Sequence, residues 1–163
     1  MISTPKWLKI ICYLSILGSS YLISLNFSSY TNANEVDNMR TEIMREIEIR
    51  FSTALATASA DEKEEMIASF NADLDQNLTV PKYKRQSLFR IVGNFITLFG
   101  ALLMIRLRKM GYHLYVAGTL FLVFTGFSSM GFGLMGWTFN LFYILVGLVF
   151  SLFYTRYRSI LTL

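Results

Sequence analysis

"MGYHLYVAGTLFLVFTGFSSMGFGLMGWTFNLFYILVGLVFSLFYT", residues 110–155, holds 46 residues and no charge apart from His113. As one helix at 1.5 Å per residue it would run about 69 Å. The hydrocarbon core of a bilayer is about 30 Å thick and takes roughly 20 helical residues. The stretch is therefore too long for one crossing and suits two crossings joined by a tight turn. "SSMGFGLMGWTFN" (128–140) offers that turn, with glycines to bend the chain and Trp137 and Asn140 suited to an interface. Its apolar residues do not alternate with period 2, which argues against an outer-membrane barrel.

The rest of the chain extends the pattern. Ile91 to Ile105 has no charge, and neither does Ile10 to Asn34. The first of these runs reaches full length if Arg90 and Arg106 snorkel to opposite interfaces, adding Leu88, Phe89 and Leu107. Charged residues are only 16% of the whole, against about 25% in soluble domains. The expected fold is an all-α membrane protein. It has four transmembrane helices, near 8–28, 88–107, 112–130 and 138–156, and an extracytoplasmic helical hairpin between spans one and two. Three regions follow: 1–29 with the first span, 30–86 as an acidic hairpin, and 87–163 with the remaining spans. The first apolar run, Trp7 to Phe27, exceeds the 7–15 residues of a signal-peptide core and is read as an uncleaved anchor.

Charge sorts with this topology. Lys6 and Lys9 precede span one, Arg106, Arg108 and Lys109 join spans two and three, and Arg156 and Arg158 follow span four. With both termini in the cytoplasm all seven lie on the positive side of the positive-inside pattern. The same orientation exports the hairpin. All 11 acidic residues lie between Glu35 and Asp75, against Arg40, Arg45, Arg50 and Lys63, a net of −7. One group runs the other way: Lys82, Lys84, Arg85 and Arg90 crowd the start of span two on the outer side.

Within the exported segment, Val36, Met39, Ile43, Ile47 and Phe51 recur at spacings of three and four, the stripe of an amphipathic helix. Ser59 and Glu62 have capping-box spacing and open a second helix with Ile67, Phe70, Leu74 and Leu78 as its stripe. Pro81 ends that pattern. A hairpin this small needs a further surface to bury its stripes. Ile43, Ile47, Phe51, Ile67, Phe70 and Leu74 are thus the candidate contacts, with each other or with a partner.

The motifs that suggest chemistry do not hold up. "DLDQNLT" (73–79) starts like a calcium loop, but Leu78 and Lys84 replace the glycine and bidentate glutamate that an EF-hand requires; Asp73 and Asp75 read as a solvated helix end. In "GFSS" (126–129), Ser128 has no base: His113, the only histidine, lies about 22 Å away on the same helix. His113 reads as an interfacial anchor between Tyr112 and Tyr115. Cys12 is alone, which excludes an intramolecular disulfide relay. No acid and no lysine lies at mid-membrane depth, where proton- and sodium-coupled carriers place them. No catalytic, cofactor or metal site is expected, and no nucleic-acid contact. The spans do carry small residues at packing intervals: Gly93, Thr97 and Ala101; Ser129 and Gly133; Gly147 and Ser151.

The stretch "NLTVPKYKRQ" through "GNFITLFGALLMIRLRKMGYHLYVAGTLF", within residues 77–121, resembles uncharacterised small four-span inner-membrane proteins of Bacteroidota-type bacteria. The shared order is a basic lead-in, a span, an Arg/Lys connection and a Gly-Tyr-rich start to the next span. The resemblance implies a bacterial inner-membrane location and no residue roles. The expected function is a non-enzymatic accessory, scaffold or assembly component whose partners are the lipid bilayer and either a second copy or an envelope protein. The alternative is an oligomeric small-solute carrier or channel, with Gly93, Thr97, Thr125 and Ser129 along its track.

Overall fold

A computed structural model of the chain describes residues 5–54 and 59–161. It shows six helices: α1 (Lys6–Thr31), α2 (Val36–Ala54), α3 (Ala60–Asn77), α4 (Val80–Ile105), α5 (Lys109–Met130) and α6 (Leu134–Arg156). The described residues form no sheet. α1, α4 and α5 are each long and apolar enough to cross a membrane, and the apolar part of α6 runs from Asn140 to Arg156. The chain is a helical, multi-pass membrane protein.

Its surface chemistry agrees. Leu17, Phe124 and Leu152 point outward with 64–73% of their surface exposed, while Asn94, Ser129 and Asn140 lie inside at 2% or less. Outward apolar residues around buried polar ones suit lipid as the solvent, because a polar side chain turned to hydrocarbon loses its hydrogen bonds.

α4 is the central helix. It runs antiparallel to α5 at a spacing set by glycine. A Cβ on Gly100 would lie 2.6 Å from the backbone N of Tyr115, and one on Gly111 would lie 2.6 Å from both Gly100 O and Met104 N. Further along, Gly93 accommodates Leu122 and Gly118 accommodates Thr97. α1 packs on the other side of α4, with Ser19 Oγ 3.1 Å from Thr97 Oγ1. α6 packs on α5, with Gly147 against Thr119. α1 and α6 meet at one end, where Ser15 Oγ and Tyr154 OH share a 2.7 Å hydrogen bond. Leu8, Cys12, Ala101, Met104, Tyr115, Tyr154 and Leu161 form an apolar cluster there. Leu107 sits in that end's α4–α5 connection at φ 56°. Its side chain packs against the cluster, and this packing holds a leucine in a region that normally favours glycine.

The hairpin, α2 and α3, stands at the opposite end. Val36, Leu74 and Leu78 bury against Met130 at the end of α5, with Ile43, Met44, Phe70, Val80 and Tyr83 packed around them. α3 opens on the expected capping box: Ser59 Oγ accepts from Glu62 N at 3.3 Å, and Ser59 N donates to Glu62 Oε2 at 3.1 Å. Ser59→Ala should cost the hairpin about 1 kcal/mol, read as a lower melting midpoint with the apolar helices unchanged.

Two expectations change. Pro81 lies in the first turn of α4, where its missing N–H costs nothing because that group has no intrahelical partner. It marks the start of a helix, and α3 has already ended at Asn77. α4 therefore begins eight residues before the expected span. The stretch around Asp73 is also more than a solvated helix end. Asp73 and Asn77 are drawn against the α5–α6 turn, where a Cβ on Gly133 would meet Asp73 Oδ2 at 2.7 Å. Asn77 Nδ2 donates to Asp73 Oδ1 at 2.6 Å. Lys82 Nζ donates to Asn77 Oδ1 at 3.0 Å and to Gln76 O at 2.8 Å. Gly131, at φ 74°, makes the turn beside Asn77 in a conformation glycine adopts without penalty. Asp75 bonds outward to Arg40 at 3.1 Å, tying α3 to α2.

Candidate functional site

Two features stand out above the packing: the sorting of charge between the ends, and a polar-floored cleft between α1 and α6.

Lys6, Lys9, Arg106, Arg108, Lys109, Arg156 and Arg158 are all exposed and all lie at the end where α1 starts, α4 turns into α5, and α6 finishes. No acidic residue accompanies them, since every acid lies between Glu35 and Asp75. Aromatic rings frame this basic end: Arg158 stands 5.9 Å from the Tyr112 ring, and Tyr112 OH is 3.2 Å from Thr155 Oγ1. The hairpin end carries an apolar rim, with Phe127 stacked on Phe132 at 5.0 Å and edge-on to Trp137 at 5.1 Å.

The candidate partner contacts divide by burial. Leu74 is fully buried in the hairpin base, and Ile43 and Phe70 pack against it. Ile67 is half-buried. These residues are used largely within the hairpin and its seat. The side chains of Ile47 and Phe51 lie outside the described residues. Ile49 and Met66 are left exposed on the hairpin at 57% and 46%.

The small residues take three roles. Gly93, Thr97 and Ala101 face inward on α4, toward α5 and α1. Gly147 packs on Thr119, and Ser151 lies beside it on an outer groove between α5 and α6. Ser129 is buried on α5, but Gly133 belongs to the α5–α6 turn and seats Asp73. Its role is hairpin docking, which the spacing argument did not foresee.

The cleft has a volume of about 170 Å³. Leu14, Gly18 and Leu22 of α1 form one wall and Phe142, Val146 and Phe150 of α6 the other. Its floor is Asn94 and Thr97 of α4 with Tyr115 and Thr119 of α5. The Ser15–Tyr154 bond closes it toward the basic end. One turn before Asn94 on α4, toward the hairpin end, lies Arg90. Its guanidinium sits 4.9 Å from the centroid of Tyr143, another cleft-lining ring. The Arg90 guanidinium is thus a cation packed on an aromatic face.

A second set of polar groups is buried on α4, α5 and α6. Gln86 Nε2, Ser129 Oγ and Asn140 Oδ1 make no hydrogen bond. The register that pairs Gly93 with Leu122 and Gly126 with Asn140 places these three at similar height. His113 and Ser128 stand at opposite ends of α5, and among the described residues no three His, Cys, Asp or Glu side chains converge as metal ligands would. No protein-family profile, curated protein or solved structure matches the chain, so the reading of this site rests on its own geometry.

Proposed function

We propose that the protein is a four-span scaffold or accessory subunit of a bacterial inner membrane, acting through contact and not through catalysis. α6 serves as the fourth span. Both termini and the α4–α5 connection lie in the cytoplasm, and the acidic hairpin faces the opposite side. One observation carries this reading: seven exposed cations gather at one end of the bundle with no acid, while the hairpin is seated on the other end. A cationic rim against anionic head groups is worth about 1 kcal/mol per side chain near the surface, enough to hold this orientation. The hairpin is held to the bundle by Leu74 and the Asp73–Asn77–Lys82 chain, and presents Ile49, Met66 and its acids outward. It is thus a fixed platform for an envelope partner or a second copy. Crosslinking in intact membranes followed by purification in mild detergent should recover a stoichiometric partner or a homodimer. Recovery of monomer alone contradicts the proposal.

A second reading, an oligomeric small-solute carrier or channel, draws support from the unsatisfied Gln86, Ser129 and Asn140, the kind of groups a hydrophilic solute meets. It predicts that cysteines at Gly93, Thr97, Thr125 and Ser129 react with water-soluble thiol reagents. Those positions are all buried in a single copy, so uniform protection removes this reading.

A further inference from the structure

We propose that Gln86 of α4, Ser129 of α5 and Asn140 of α6 bind one ordered water molecule between them, a hydrogen-bonded joint of three helices beneath the hairpin. This goes beyond the scaffold reading and does not depend on which way the bundle faces.

The three groups are brought together by register. α4 and α5 run antiparallel, with Gly100 against Tyr115, Gly118 against Thr97 and Gly93 against Leu122. Two turns nearer the hairpin, the same register sets Gln86 opposite Ser129. α6 runs parallel to α4, and the two meet where the Arg90 guanidinium lies 4.9 Å from the Tyr143 ring centroid. Gln86 is four residues before Arg90 and Asn140 is three before Tyr143. Both therefore stand one turn nearer the hairpin, on the same faces of their helices. Gly126, just under one turn from Ser129 on α5, leaves the space that the Asn140 amide enters, since a Cβ there would collide with Asn140 Oδ1.

The chemistry of the three groups selects the occupant. Gln86, Ser129 and Asn140 are 2%, 1% and 0% exposed, so bulk solvent does not reach them. Asn140 Nδ2 donates to Gly136 O at 2.8 Å. That bond fixes the amide and turns Oδ1 away as an unspent acceptor. Gln86 Nε2 is an unspent donor, and Ser129 Oγ can play either part. Thr97, Thr119 and Thr125 turn their hydroxyls back on carbonyls of their own helices at 2.7–3.0 Å, and Ser129 makes no such bond. The occupant must accept from Gln86 and donate to Asn140. A metal cation is repelled by the Gln86 N–H, and an anion without a proton has nothing to give Asn140. Water fills both parts, and a buried water makes about three hydrogen bonds, one for each group here. It removes the cost of leaving polar atoms unpaired in an apolar interior. It also ties α6 to α4 and α5 at the hairpin end, as the Ser15–Tyr154 bond ties α6 to α1 at the basic end.

X-ray hydroxyl-radical labelling of the full chain in lipid nanodiscs would test this, because radiolysis of an ordered internal water oxidises neighbours that bulk solvent does not reach. Met130, next to Ser129, and Met104, in the apolar cluster of the basic end, are both 0% exposed. Met130 should be oxidised several-fold faster than Met104. Gln86→Leu should lower the Met130 rate roughly fivefold, the ratio that one hydrogen bond supports, and leave the Met104 rate and the helix content unchanged. Ser129→Ala, which removes a single oxygen, should act in the same direction and serves if the Gln86→Leu protein does not fold. Equal rates at Met130 and Met104 in the unmodified protein would show that the side chains pair directly, and overturn the proposal. A Met130 rate unaffected by the substitutions overturns it too. Reaction of a Ser129→Cys protein, in a Cys12→Ala background, with a water-soluble thiol reagent would show an open aqueous path in place of a sealed water, and also overturns it.

Discussion

Gly100→Val is expected to abolish the folded bundle. The α4–α5 contact is backbone against backbone at this point: a Cβ on Gly100 would meet Tyr115 N at 2.6 Å, Gly111 O at 2.8 Å and Tyr115 Cα at 2.9 Å. No flexible side chain is there to yield, so the helices must separate. Overpacking a well-filled site costs about 1–3 kcal/mol, and more where backbone must move. Separation here would also loosen Gly111 and Gly118, which approach α4 closely too. We expect a loss of at least about 3 kcal/mol, seen as a shift from a single peak to aggregate on gel filtration in mild detergent. Gly18→Ala is the control. It fills space with no neighbour and should change stability by less than about 1 kcal/mol. A Gly100→Val protein that elutes and melts like the parent would show that α4 and α5 do not pack as described.

The second large effect is the release of the hairpin by Leu74→Asp. Leu74 is fully buried between Val36, Leu78 and Met130. A carboxylate there has no partner and costs several kcal/mol to bury; even Leu74→Ala should cost about 2–5 kcal/mol. The readout is a crosslink across the seat. In an Asp73→Cys/Gly133→Cys protein, the side chain at position 73 adjoins the Cβ position of residue 133, as the 2.7–3.0 Å approach of the Asp73 carboxylate shows. A disulfide should form on mild oxidation, with Cys12 inert because it is buried. Adding Leu74→Asp should cut its yield at least tenfold, while the protein still fractionates with membranes. Unchanged yield would mean that the hairpin is held by something other than its apolar base.

Residue type and spacing carried much of this architecture openly. Uncharged length announced the apolar helices, and stripes at three and four marked α2 and α3. The pair Ser59 and Glu62 located an N-cap to the residue. Each of these signals is local, depending on a run of chain and its periodicity. What stayed hidden depends on which helix faces which. Gly93 with Gly100 and Gly111 with Gly118 are spaced by seven, two turns, whereas intervals of four mark Gly93, Thr97 and Ala101 and omit the backbone-to-backbone contact of Gly100 with Gly111. Gly133 and Asp73 are 60 positions apart, and nothing near either one predicts that the turn seats the hairpin. Arg90 was legible as a charge near a span end. Its place on the Tyr143 ring required the position of α6. Pro81 was ambiguous in principle, because the same residue closes one helix and suits the first turn of the next.

The orientation of the bundle across the membrane is the claim on which the platform stands. It is tested most directly by single-cysteine labelling with a membrane-impermeant maleimide in a Cys12→Ala background. One cysteine replaces Glu65 on α3 and another, in a separate protein, replaces Arg158 beyond α6. Labelling of position 65 in intact cells, and of position 158 only after permeabilisation, is the predicted result. Position 158 labelled in intact cells, with 65 protected, would invert the protein; equal access of both from outside would place hairpin and carboxyl terminus on one side and contradict the four-span arrangement.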